Sequence, residues 1–216
     1  MGVFDSVRQL IEGWKMYDYV PPKQAPAKQP KPRADIELPG CGRHWRGVVW
    51  HHSLTNDTAR EDWKAIRKYH TSYRVDNRIM SREDFYERKK SKRGKVFTMP
   101  WSDIGYHAGV ERINGNLKWR LGRSWDNSGA HAGIPGNARF NRYYLGVCAV
   151  GNFDRVAPDK EFWEFALAVT RTIMDRFGMS RADVLGHRET YELAGVPKQK
   201  ECPGRRWDMN KFRLDL

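Results

Sequence analysis

A chain of 216 residues is long enough for one ordinary domain with a short appendage. Hydrophobic residues make up 39%, with nine Trp, nine Tyr and nine Phe, which excludes wholesale disorder; no apolar run approaches the ~18 residues of a membrane span. Lys and Arg total 39 against 26 Asp and Glu, and the formal +13 draws the chain to polyanions: nucleic acid, an anionic membrane or an anionic cell-wall polymer.

Residues 5–15 fit a short amphipathic helix, with Asp5 or Ser6 as cap and Val7, Leu10, Ile11 and Trp14 on one face. The segment MGVFDSVRQL carries Asp5 and Arg8 and has no secretory apolar stretch. With three cysteines, too sparse and odd a set for a disulfide framework, it places synthesis in a reducing compartment. Residues 20–39 interleave Pro21, Pro22, Pro26, Pro30, Pro32 and Pro39 with Lys23, Lys28, Lys31 and Arg33. Proline fixes φ and lacks an N–H, so an extended cationic linker is expected over 20–40, after an N-terminal unit 1–19.

The main domain is then 41–216. Gly47–Trp50 reads as a strand. Thr58 to Glu61 is a capping box opening a helix that carries Trp63, Ile66 and Tyr69. Residues 75–100 are polar and strongly basic, and read as an inserted loop or hairpin. Strands follow over 104–113 and 118–123 around an Asn114-Gly115 turn. Tyr144 to Val150 is a central strand. Pro158 suits the first position of a long helix, with a buried stripe of Phe162, Ala166, Val169, Ile173 and Phe177 and a stop at Gly178. Val184-Leu185 is a short strand, and a helix near Asp208 to Phe212 ends the chain. The sum is an α/β single domain, with a central mixed β-sheet flanked by helices.

Residues able to bind metal stand at the ends of apolar strands. Trp50-His51-His52-Ser53 closes the first strand, Gly186-His187-Arg188-Glu189 follows the last, and Cys202-Pro203-Gly204 lies fifteen residues beyond His187. Two His and one Cys so placed could form a zinc site with a fourth position open to water. Strand alternation sends His51 and His52 to opposite faces. Cys148, inside its strand, reads as a small buried hydrophobe.

VVWHHSLT, SDIGYHAGV, the stretch from GAHAG to YLGVCAVGNF, and VLGHRE followed by KECPG occur in that order. Together they resemble the zinc-dependent N-acetylmuramoyl-L-alanine amidases of type 2, the family of amidase-type phage lysozymes and peptidoglycan recognition proteins. The likeness runs from about His44 to Phe212. It implies zinc (Zn2+) held by His51, His187 and Cys202. It implies Tyr106 and Lys200 as catalytic residues that stabilise charge or assist proton transfer, and His131 as a substrate-binding residue lining the groove. Lys200 matches the phage-lysozyme branch, whereas recognition proteins often have Thr there. Cytoplasmic recycling amidases have Asp where Cys202 stands. The segments 75–100 and 133–143 are longer than the family's usual connections.

The resemblance implies an endolysin that cleaves the amide between N-acetylmuramic acid and L-alanine of bacterial peptidoglycan. It would accumulate in the host cytoplasm before lysis and act at the cell wall, as a monomer by default. The N-terminal basic segment is expected to help it engage an anionic outer membrane. The alternative is a non-catalytic peptidoglycan-recognition module. A specific nucleic-acid role is not expected, because no helix-turn-helix, RNA-recognition or finger signature accompanies the basic run Arg88 to Lys95.

Overall fold

The computed structural model describes residues 36–55 and 62–216. The helix expected over 5–15, most of the linker and the Thr58–Glu61 capping box lie outside the described residues. Ile36 is already buried in the main core, Leu38 packs against it, and the Pro39 carbonyl accepts from Arg176 at 2.6 Å.

A five-stranded sheet organises the domain, in the order β6-β5-β7-β1-β8. These strands are β1 (Gly47–His52), β5 (Ala108–Ile113), β6 (Asn116–Leu121), β7 (Tyr144–Ala149) and β8 (Val184–Gly186). β1 runs parallel to β7 and to β8, β5 runs parallel to β7, and β6 is antiparallel to β5. Every residue of β1 and β7 is buried, as strands covered on both faces require. The mixed α/β sheet expected from the strand and helix signals is therefore present.

Alternation divides the core. Val48, Trp50, Leu145, Val147 and Ala149 point to one face and meet Phe165, Val169 and Ile173 of the long helix α4 (Lys160–Phe177), with Phe212 of α6 (Met209–Asp215). Val49, Leu185 and Tyr144 point to the other, against Phe140 of α3 (Arg139–Tyr143) and Tyr191 of α5 (His187–Leu193). The Asp159 carboxylate caps α4 by accepting from Phe162 N, and Gly178, at φ 65°, ends it in the left-handed conformation. Pro158 thus precedes the cap and does not open the helix. Asn114 and Gly115 both have positive φ, 49° and 81°, the conformation a two-residue hairpin needs. β5 begins at Ala108, four residues later than expected; just before it Gly105 O accepts from Ala130 N, and His107 N donates to Gly146 O of β7.

The segment 75–100, expected as a loop or hairpin, opens on a hairpin and continues into a helix and a further strand. β2 (Tyr73–Val75) pairs antiparallel with β3 (Arg78–Met80) and β4 (Phe97–Thr98), and α2 (Arg82–Lys90) follows β3. Ser81 caps α2 through Asp84 N, and the fully buried Phe85 ring meets Tyr73 and Phe97. The 133–143 segment carries α3 and an isolated bridge between Ile134 and Asn137.

Candidate metal centre

In an open α/β sheet, ligand sites form beyond the carboxyl ends of the parallel strands. His51 sits near that end of β1, and β8 leads directly into His187 at the start of α5. Glu189 holds this junction: its carboxylate accepts from Gly186 N at 2.7 Å and pairs with Arg213 at 2.8 Å. Arg188 holds the loop that delivers Cys202. Its backbone N–H donates to Cys202 O at 2.7 Å, and its guanidinium donates to the carbonyls of Glu201, Gly204 and Trp207.

The three candidate ligands converge. One donor atom from each of His51, His187 and Cys202 lies within 4.8 Å of the others, and all three side chains are buried. His51 Nδ1 is 3.6 Å from Cys202 Sγ, and the two imidazole centroids are 4.7 Å apart. His187 Nε2 is buried with no hydrogen-bond partner among the described residues. A buried polar nitrogen without a partner costs about 1–3 kcal/mol unless something binds it. Two imidazoles, one of them with an orphan nitrogen, and a thiol brought this close together fit a metal ion. His52 points the other way, as alternation requires: its ring accepts from Phe153 N at 3.2 Å and stacks on Phe153. Its backbone N–H donates to Cys202 Sγ at 3.3 Å.

Electrostatics prepare the same set. Burial first, then His187, His131 and Lys200, hold His51 well below the ordinary histidine pKa. Burial and then Lys200 lower His187 to about 4. Both rings are neutral at pH 7, the form that ligates. Burial pushes the Cys202 thiol up to about 12, against the opposing His52 amide, Lys200 and Arg188. A bound cation would reverse that shift by favouring the thiolate.

The cluster opens into a cavity of about 380 Å³ that is also lined by Ser53, Tyr106, His131 and Lys200. Each residue singled out by the sequence resemblance therefore lines one cavity. The Tyr106 ring lies 5.2 Å from that of His51. Burial first, then the Cys148 and Cys202 thiols, raise the Tyr106 hydroxyl well above the ordinary tyrosine pKa, so it remains an O–H donor. Lys200 is exposed on the loop before Cys202. Both ring nitrogens of His131 are engaged within the protein: Nδ1 is 3.0 Å from His51 Nε2, and Nε2 donates to Tyr144 O at 3.1 Å.

A second cleft, of about 450 Å³, shares Ser53 and Tyr106 with the first. Ile66, Tyr69 and His70 of α1 (Asp62–His70) line it, with Ile79 of β3. The sequence marks Ile66 and Tyr69 of α1 without assigning them to a site, whereas the long 75–100 segment is expected beside the groove, where Ile79 lies. Sequence reasoning also passed over Arg188, although that residue stood inside the quoted GHRE.

A family model described as N-acetylmuramoyl-L-alanine amidase (type 2) matches residues 42–205, a span that contains every residue of the cluster. The chain belongs to this amidase family. It is 30% identical over 108 residues to peptidoglycan-recognition protein SC1a of Drosophila melanogaster, covering 50% of each chain. It is 37% identical over 90 residues to peptidoglycan-recognition protein SD of Drosophila simulans, covering 41% of this chain and 44% of that one. The chain thus spans about half the length of the curated relatives it matches. Among solved structures, bumblebee PGRP-SA aligns with a TM-score of 0.50 at 19% identity, over 77% of this chain and 79% of that one. The N-acetylmuramoyl-L-alanine amidase LysC from Clostridium intestinale aligns with a TM-score of 0.46 at 22% identity, over 80% and 85%.

Proposed function

We propose that this family member is a zinc amidase of the endolysin type. It would hydrolyse the amide between N-acetylmuramic acid and L-alanine in bacterial peptidoglycan, reaching the wall from the host cytoplasm. The observation that carries this reading is the convergence of His51, His187 and Cys202, with the orphan His187 Nε2, in a cavity that also contains Tyr106 and Lys200. Two imidazoles and a thiolate are a zinc donor set with a fourth position free.

When bound, zinc supplies a Lewis acid for the amide carbonyl and a water acidic enough to ionise near neutral pH. The protein supplies the rest. His51 and His187 are kept neutral, so their lone pairs are available without a proton to lose. Tyr106 and Lys200 both line the cavity, and each brings a hydrogen-bond donor to the place where charge would build on the carbonyl oxygen. Either can deliver a proton toward the leaving amine of L-alanine. The adjoining cleft of about 450 Å³ past Tyr106 has room for the peptide side of the scissile bond.

A second reading, a muropeptide-binding module without catalysis, is favoured by the printed names of the relatives, which are recognition proteins. Cys202 separates the two. The purified chain should take up one zinc per molecule, and Cys202→Ser should take up none in the presence of a weak competing chelator. Full zinc occupancy in that variant would refute the ligand set.

A further inference from the structure

A line of hydrogen bonds runs from the sheet to the metal side of His51. A backbone carbonyl can only accept, so the Tyr144 carbonyl, 3.1 Å from His131 Nε2, places a proton on that nitrogen. Neutral imidazole carries one N–H, which makes His131 Nδ1 an acceptor. His51 Nε2 lies 3.0 Å from it and must donate. That leaves the lone pair of His51 on Nδ1, the nitrogen facing Cys202 Sγ at 3.6 Å.

The protein spends structure to keep His131 in this place. Asn141 Oδ1 accepts from the backbone N–H groups of both His131 and Ala132 at 2.8 Å, and Asn141 Nδ2 donates to Ala132 O at 3.0 Å. The ring itself lies against two glycines. A Cβ on Gly146 would overlap His131 Cγ and Cδ2, and a Cβ on Gly129 would overlap Cδ2 and Nε2. Any larger residue at either point would push the ring off the line.

We infer that His131 is a positioning residue for the metal centre: it relays the Tyr144 carbonyl to His51 and so fixes the ring and tautomer through which His51 binds the metal. This rests on the metal-centre reading above and gives His131 a role other than contact with substrate, since neither ring nitrogen is free. An outer ligand of this kind is worth about 10–100-fold in metal affinity.

Two measurements test it on the full chain. Long-range ¹H–¹⁵N spectra of the zinc-free wild type should show both His131 and His51 protonated on Nε2. A proton on Nδ1 of His131 would overturn the relay without any substitution. Zinc affinity, from competition with a chelator, should fall about 10–100-fold in His131→Phe. It should fall less in His131→Asn, whose amide oxygen can accept where Nδ1 does. Gly146→Ala, which alters no polar group, should also weaken zinc. Wild-type zinc uptake matched within twofold by a folded His131→Phe would overturn the relay alone. A wild-type chain that binds no zinc would overturn the metal centre, and the relay with it.

Discussion

Lys200 is exposed and lines the cavity of the buried ligand cluster, so it can be removed without disturbing packing. Lys200→Ala is therefore expected to keep zinc and lose about 10²–10³-fold in rate, the usual cost of one donor to a developing oxyanion. Metal content and initial rate on a soluble muramoyl peptide check this together; undiminished turnover would remove Lys200 from the reaction. At this scale the sequence was most informative. His51 and His187 were legible as candidate ligands because metal-capable residues stand at the ends of apolar strands, with Cys202 on a loop soon after, and the motif order then pointed to Tyr106, His131 and Lys200. The orientation of His131 was not legible, since it depends on a carbonyl in another strand and on two missing side chains at Gly129 and Gly146.

The next scale is the loop that carries Cys202, which has no regular structure of its own. Three backbone carbonyls of this loop and its sequel converge on the Arg188 guanidinium, from Glu201, Gly204 and Trp207. Arg188→Met leaves those carbonyls without their donor. Charge-assisted bonds of this kind are worth about 1.5–3 kcal/mol each, with strong non-additivity. The variant is expected to lose about 2–4 kcal/mol in urea unfolding and to bind zinc more weakly; a loss under about 0.5 kcal/mol would contradict the clamp. The 75–100 segment shows why some elements escaped the sequence reading. Its strands are two or three residues long, too short for a period of two to register, and α2 buries Phe85 alone. One aromatic anchor in a basic run looks like a loop until Tyr73 and Phe97 are seen against it. Long elements with full periodicity, such as α4 and β7, were legible to within one or two residues.

Across the whole molecule, six histidines are held below their ordinary pKa, each chiefly by burial: His51, His52, His70, His107, His131 and His187. The fold keeps them neutral, whereas the unfolded chain protonates them near pH 6.5. The unfolded state thus binds more protons, and stability falls as pH drops from about 6.5 toward 4. His107, fully buried and lowered to about 4, alone contributes a loss of about 2 kcal/mol by pH 5. The urea midpoint of the metal-free chain should be clearly lower at pH 5 than at pH 7.5; an equal or higher midpoint would contradict this. Composition predicts an affinity for polyanions but cannot choose among them; the function proposed above makes the cell-wall polymer the polyanion in question. The most direct test is a digest of purified peptidoglycan, with and without a zinc chelator, read by mass spectrometry. The expected products are peptide-free glycan and peptides with free L-alanine amino termini, lost on chelation and restored by added zinc. Wall left intact by a folded, zinc-loaded chain would contradict the amidase and leave a binding module in its place.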